Sequence, residues 1–217
     1  MNIGFIGYGS MTQALAPRFI AAGHGVFLGG HNPDKAKSVA DEVGAGGSGD
    51  TAAATGFGDI VVLATPFDKI DDAIAGAGGA GAFDGKVVID INNPVAGFME
   101  RDFTNATYAD GKSLAETIAD KLPGAEVAKA FNCCQAKVWE MDPPEFDGRR
   151  LVTMFAANGD RAREVAKQLI EATGSDALDL GDFKRCRNLE ALAGIVIQLL
   201  FSGHDPLTAL NLVSANA

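Results

Sequence analysis

The sequence predicts an α/β fold, a doubly wound and mainly parallel sheet with a small helical segment at the C-terminal end. Three observations carry this. Short β-rich runs recur along the chain, helical patterns separate several of them, and after Gly181 the pattern changes to long apolar helix. Strand then helix, repeated, implies parallel strands joined by right-handed crossovers.

The strand candidates are Asn2–Ile6, Val26–Leu28, Ile60–Ala64, Val87–Ile91, Val127–Phe131, Leu151–Ala156 and Ala177–Leu180. The first helical pattern is Ser10–Ala22, where Met11, Leu15 and Phe19 recur every fourth residue. Pro17 lacks a backbone donor and crowds the preceding turn, so a local kink on an exposed side is expected. Further helices are predicted over Pro33–Val43, Ser113–Lys121 and Arg161–Thr173, whereas Gly44–Gly58 and Gly76–Gly81 are rich in Gly and Ala and read as loops or weakly held helix ends. Arg187–Ser202 is a long, almost wholly apolar helix, and a second apolar helix follows His204-Asp205-Pro206. A helix apolar on most faces must be covered by the sheet or by another subunit, so a homo-oligomer through the C-terminal helices, at its simplest a homodimer, is expected. At 217 residues the chain reads as a single domain, with a sheet core over 1–180 and a helical segment over 181–217.

Asp and Glu number 28 against 18 Lys and Arg, a formal net charge of -10, which argues against nucleic acid or an anionic membrane as partner. No basic and apolar leader precedes the first strand, and the longest apolar run, Ala191–Phe201, is broken by Gln198 and too short to span a bilayer. Three cysteines, two of them the neighbours Cys133 and Cys134, form neither a disulfide framework nor a metal motif. A cytoplasmic protein is expected.

The opening Ile6-Gly7-Tyr8-Gly9-Ser10-Met11-Thr12 places a Gly-x-Gly pair between a strand and a helix. Gly7 can take the positive φ of a tight turn, Gly9 lets a pyrophosphate approach the backbone, and the N–H groups of Ser10 and Met11 open a helix whose positive end faces that charge. This is the sequence pattern of a Rossmann-type dinucleotide site. Thr12 stands where a third glycine or alanine is usual, which would hold helix and strand slightly apart. The second strand ends in Gly29-Gly30-His31-Asn32-Pro33-Asp34-Lys35, without an acid at its tip. An acid there would bind a free ribose 2′-hydroxyl and repel a 2′-phosphate; Gly30, His31, Asn32 and Lys35 can accommodate the phosphate, so NADP is expected over NAD.

Ligands of open parallel sheets cross the carboxyl ends of the strands. Three such ends supply amides or rigid turns: Thr65-Pro66-Phe67, Asn92-Asn93-Pro94-Val95, and Asn132-Cys133-Cys134-Gln135-Ala136. Thr65, Pro66, Asn92 and Asn132 are therefore candidates for the ribose and nicotinamide half. Trp139 is either core packing or a platform beneath an acceptor. No catalytic acid, base or nucleophile stands out: His24 and His204 lie at turns, and a strand-end cysteine is more often a small packing residue. Hydride transfer between two redox cofactors requires alignment rather than a side-chain proton relay.

On Gly7-Tyr8-Gly9-Ser10-Met11, the Gly29–Lys35 run, Ser113-Leu114-Ala115-Glu116 leading to Leu122-Pro123-Gly124-Ala125, Val127–Asn132 and Arg187–Leu192, the chain resembles the coenzyme F420-dependent NADP oxidoreductase family over essentially its whole length. The resemblance implies hydride exchange between NADP(H) and a deazaflavin. It also implies cofactor contacts from Tyr8 to Met11 and at Gly30, His31 and Lys35, with Phe67, Val95 and Ala136 near the nicotinamide end. The family usually carries Ser-Arg where this chain has Gly30-His31. The same fold serves reductases that pass hydride to flavin and then to ferric iron, so a flavin is the parallel acceptor; a non-catalytic NADPH sensor is the reading from another class.

Overall fold

The computed structural model describes residues 1–95 and 111–204. In chain order its elements are β1 (Asn2–Ile6), α1 (Ser10–Ala21), β2 (Gly25–Gly29), α2 (Pro33–Val43), β3 (Gly47–Gly49), α3 (Thr51–Phe57), β4 (Ile60–Leu63), α4 (Ile70–Gly76) and β5 (Val87–Asp90). There follow α5 (Leu114–Lys121), β6 (Glu126–Lys129), α6 (Ala136–Trp139), the hairpin β7 (Glu145–Phe146) and β8 (Arg149–Arg150), β9 (Val152–Ala157), α7 (Asp160–Ala172), β10 (Asp176–Asp179) and α8 (Cys186–Phe201).

Eight strands form one sheet in the order β10-β9-β6-β5-β4-β1-β2-β3, parallel except where β9 runs against β6. The expected doubly wound, mainly parallel architecture is what the chain adopts. Strands β4 and β5 are buried at every position because helices cover both faces, which is why they read as unbroken apolar runs. Alternate side chains feed two cores. Val87 and Ile89 join Leu15, Phe19 and Leu169 of α1 and α7; Val88 joins Ile70 and Ile118 of α4 and α5. Helix α1 runs through Pro17, whose side is exposed as the sequence suggested.

Two expectations need correction. The Gly/Ala stretch 44–58 is not loop: it holds the edge strand β3 and helix α3, with Asp50 capping α3 by accepting from Ala53 N–H at 2.7 Å. Helix α3 lies directly on the sheet, so bare backbone is required beneath it. A Cβ at Gly4 would sit 2.0 Å from the Ala54 carbonyl oxygen, and one at Gly29 2.2 Å from that of Asp50. Close packing thus explains the glycines of β1 and β2 that lie beneath α3. The strand expected over Val127–Phe131 closes at Lys129, since Phe131 takes a φ of +63° and turns the chain toward α6. The second apolar helix expected after Pro206 lies outside the described residues.

Gly4→Ala should therefore destabilise the fold by about 1–3 kcal/mol, the usual cost of overpacking, measured by urea unfolding. An unchanged midpoint would mean that α3 can lift away without cost.

Candidate functional site

The loop after β1 is built as its glycines predict. Gly7 takes a φ of +120° and donates its N–H to the Gly29 carbonyl at 2.8 Å, tying the ends of β1 and β2 together. Thr12, fully buried, donates its hydroxyl to the Gly7 carbonyl at 3.0 Å, so the residue in the usual glycine position braces the loop. No side chain caps the start of α1 at Gly9, and a Cβ placed on Gly9 would meet nothing within 4 Å. The first-turn N–H groups of α1 thus open onto free space beside a bare backbone. That is an anion cradle with room for a pyrophosphate.

Beside it, the tip of β2 gathers the residues expected to read the ribose. Gly30 is buried under the Tyr8 ring, which would lie 2.8 Å from a Cβ there. The Tyr8 hydroxyl is 3.2 Å from His31 Nδ1, and the Lys35 ammonium stands 5.7 Å from the Tyr8 ring centroid. Asn32 does not face outward as a free amide: its Oδ1 accepts from Lys35 N–H at 3.0 Å and caps α2. Tyr8, His31 and Lys35 form one exposed-edge cluster of donors.

The later strand ends divide. A cavity of about 370 Å³ opens between the first turn of α1, the ends of β5 and β6, and α8. Ser10, Met11, Asn132 and Ala136 line it, as expected, together with Asn93, Cys133, Cys134, Gln135 and Lys137. Thr65, Pro66, Phe67, Asn92 and Val95 are not among its lining residues. Phe67 packs against the core on the α4 side, and Val95 is 7 % exposed. The Asn92 amide donates to the Leu63 carbonyl at 3.0 Å and to Asp90 at 2.9 Å. Asn132 is likewise committed, donating to Asn93 at 2.9 Å and to the Leu189 carbonyl at 3.1 Å. Both amides hold strand ends in place. Trp139 is fully buried, edge-on to Phe131 at 5.2 Å between centroids, and so belongs to the core rather than to a platform.

Beneath the cavity lies a charged cluster. Lys129 is completely buried; its ammonium donates to Asp90 at 2.8 Å, lies 3.0 Å from Glu190 of α8, and also donates to the Asn92 carbonyl. Burial pulls the Lys129 pKa down, and Asp90 and Glu190 more than offset it, holding the ammonium above the ordinary lysine value. Glu190 accepts in turn from Leu114 N–H at 2.9 Å and Ala115 N–H at 3.2 Å, the first turn of α5. Next to it, Arg187 makes two 2.7 Å bonds to Glu116, which closes a capping box with Ser113. A lone lysine inside the apolar run Val127–Phe131 is the signal in the sequence for this cluster, since lysines are almost never fully buried unpaired. Nothing in the local sequence names Glu190 as its partner.

Burial raises the thiols of Cys133 to about 11 and Cys134 to about 12. Among the described residues no carboxylate or imidazole lines the cavity, and Lys137 is the basic side chain there. Among the described residues no cluster of side chains suited to a metal occurs, and no helix is long and apolar enough to cross a membrane.

Residues 2–94 match the model of the family described as NADP oxidoreductase, coenzyme F420-dependent. The chain is 28 % identical over 144 residues to an F420-dependent NADP reductase of Methanocaldococcus jannaschii, covering 65 % of this chain and 62 % of that protein. A crystal structure from Arthrobacter sp. FB24, provisionally described as an F420-dependent NADP reductase, superposes with a TM-score of 0.80 at 26 % identity, covering 94 % of this chain and 96 % of the other. The hypothetical protein SMa0349 of Sinorhizobium meliloti gives 0.71 at 30 % identity, with 84 % and 86 % covered.

Hydrogen bonds from Arg187, opposed in part by burial, lower the Glu116 pKa to about 2, with Ser113 also contributing. Because the folded value lies below the ordinary glutamate value, the stabilisation is complete above the latter and fades as pH falls toward 2. In urea unfolding, the gap between the unchanged protein and Glu116→Gln should be widest at neutral pH and narrow below about pH 4. A gap that holds steady to pH 2.5 would show that the Glu116 charge contributes nothing.

Proposed function

We propose that this chain, whose residues 2–94 match the model of the coenzyme F420-dependent NADP oxidoreductase family, binds NADP(H) across its strand ends and exchanges hydride with a deazaflavin (coenzyme F420) or flavin-type acceptor. The observation that carries the reading is the uncapped start of α1 beside Gly9, next to the Tyr8, His31 and Lys35 cluster. Backbone N–H groups from Tyr8 to Met11 would hold the pyrophosphate, with the Gly7 N–H tied to Gly29. Gly30, His31, Asn32 and Lys35 would hold the 2′-phosphate, with Asn32 acting through the cap that fixes Lys35. The turns at Thr65–Phe67 and Asn92–Val95, with Asn132 and Ala136, would shape the ribose and nicotinamide end.

When bound, NADPH supplies the hydride. The chain supplies position. The cavity offers the apolar side of α8 on one side and strand-end amides on the other, a shape that suits the flat conjugated rings of such an acceptor. The aligned 62 % of the Methanocaldococcus protein supports this activity as a reading of kinship, and the cavity supports it by its shape. Exposed Ile195 and Phe201 on α8 support association of two copies through that helix.

Two measurements test this. By calorimetry NADPH should bind about ten-fold or more tightly than NADH, as expected for one or two charge-assisted bonds, and His31→Asp or Lys35→Ala should shrink the gap. Equal affinities in the unchanged protein would remove the 2′-phosphate assignment. Mixed with NADPH and oxidised deazaflavin or flavin mononucleotide, the protein should reduce at least one of them, followed by absorbance. Tight NADPH binding with neither acceptor reduced would refute hydride transfer and leave a nucleotide sensor, whose oligomeric state should then change with NADPH.

A further inference from the structure

We infer that Glu190 is a positioning residue for the acceptor half of the site, setting the register of α8 against the strand ends through Lys129 and the start of α5. The clause that concerns turnover rests on the hydride-transfer reading above; the structural clause does not.

After Ala191 helix α8 is apolar on nearly every side, with Leu192, Ile195, Val196, Leu199 and Phe201 spread around it. Apolar contact is non-directional, so such a helix has little to distinguish its seat from one rotated or slipped by a turn. Glu190 supplies the distinction. Its carboxylate, 4 % exposed, is satisfied only where it meets the Lys129 ammonium and the N–H groups of Leu114 and Ala115 together. The excess negative charge of Asp90 and Glu190 over Lys129 falls on the positive end of α5, so the arrangement is electrically closed. Ala193 and Ile197 follow Glu190 at three and seven residues, on the same helix face, and both line the cavity. The wall against which an acceptor would lie is thus fixed from beneath by a carboxylate that never touches it.

Cys133 provides a readout independent of activity. Cys133 is partly exposed on the cavity wall, its sulfur is 3.6 Å from the Leu189 carbonyl at the start of α8, and burial raises its thiol pKa. In Glu190→Gln, and more strongly in Glu190→Leu, alkylation of Cys133 by N-ethylmaleimide under native conditions, mapped by mass spectrometry, should accelerate about ten-fold or more as α8 loosens. The KM for deazaflavin or flavin mononucleotide should rise while the Kd for NADPH stays unchanged. Gly4→Ala, which weakens the fold on another element, should leave the Cys133 alkylation rate unchanged. The inference fails if in folded Glu190→Gln and Glu190→Leu Cys133 reacts no faster than in the unchanged protein. It fails equally if NADPH affinity falls in step with alkylation, or if Gly4→Ala exposes Cys133 as much, because either result reports general loosening. If the unchanged protein binds NADPH and reduces neither acceptor, the proposed function falls and the alkylation arm still decides the register.

Discussion

The ammonium of Lys129 is the point at which the sheet and the C-terminal helix meet. A lysine with no exposure cannot stand alone, since the effective cost of leaving one buried charge without its partner is about 3–5 kcal/mol. It is met by Asp90 on the adjacent strand and by Glu190 sixty-one positions along the chain (190 minus 129). Through Asp90 the same charge orders Asn92, and through Glu190 it reaches α5. The loops after β5 and β6, the first turn of α5 and the first turn of α8 are therefore one electrostatic unit. The cavity is the space left above it.

What the sequence made legible follows from local rules. A glycine turn between β1 and α1 requires a positive φ at Gly7 and bare backbone at Gly9, and both can be read without knowing the rest of the chain. The absence of an acid after β2 is equally local. Runs such as Ile60–Leu63 and Val87–Asp90 announce central strands because helices cover both faces.

The illegible part depends on contacts distant in sequence. Gly/Ala composition at 44–58 signals either slack chain or a helix pressed onto a sheet, and only the partner surface at Gly4 and Gly29 decides between them. Asn92 and Asn132 sit at strand ends where a ligand would pass, yet their amides are taken by Asp90, Leu63, Asn93 and Leu189. Strand-end position identifies residues near a ligand without telling which of them are free to touch it. Glu190 was invisible for the same reason: the charge that explains it belongs to another strand.

The Tyr8 ring over Gly30 also has an evolutionary meaning. With 2.8 Å between the ring and a Cβ, no side chain at position 30 fits while a tyrosine stays at position 8 in this rotamer. The two positions are coupled: a serine beside His31 requires the Tyr8 ring to turn aside or residue 8 to shorten. Selection at position 30 therefore acts on the placement of the Tyr8 ring as well.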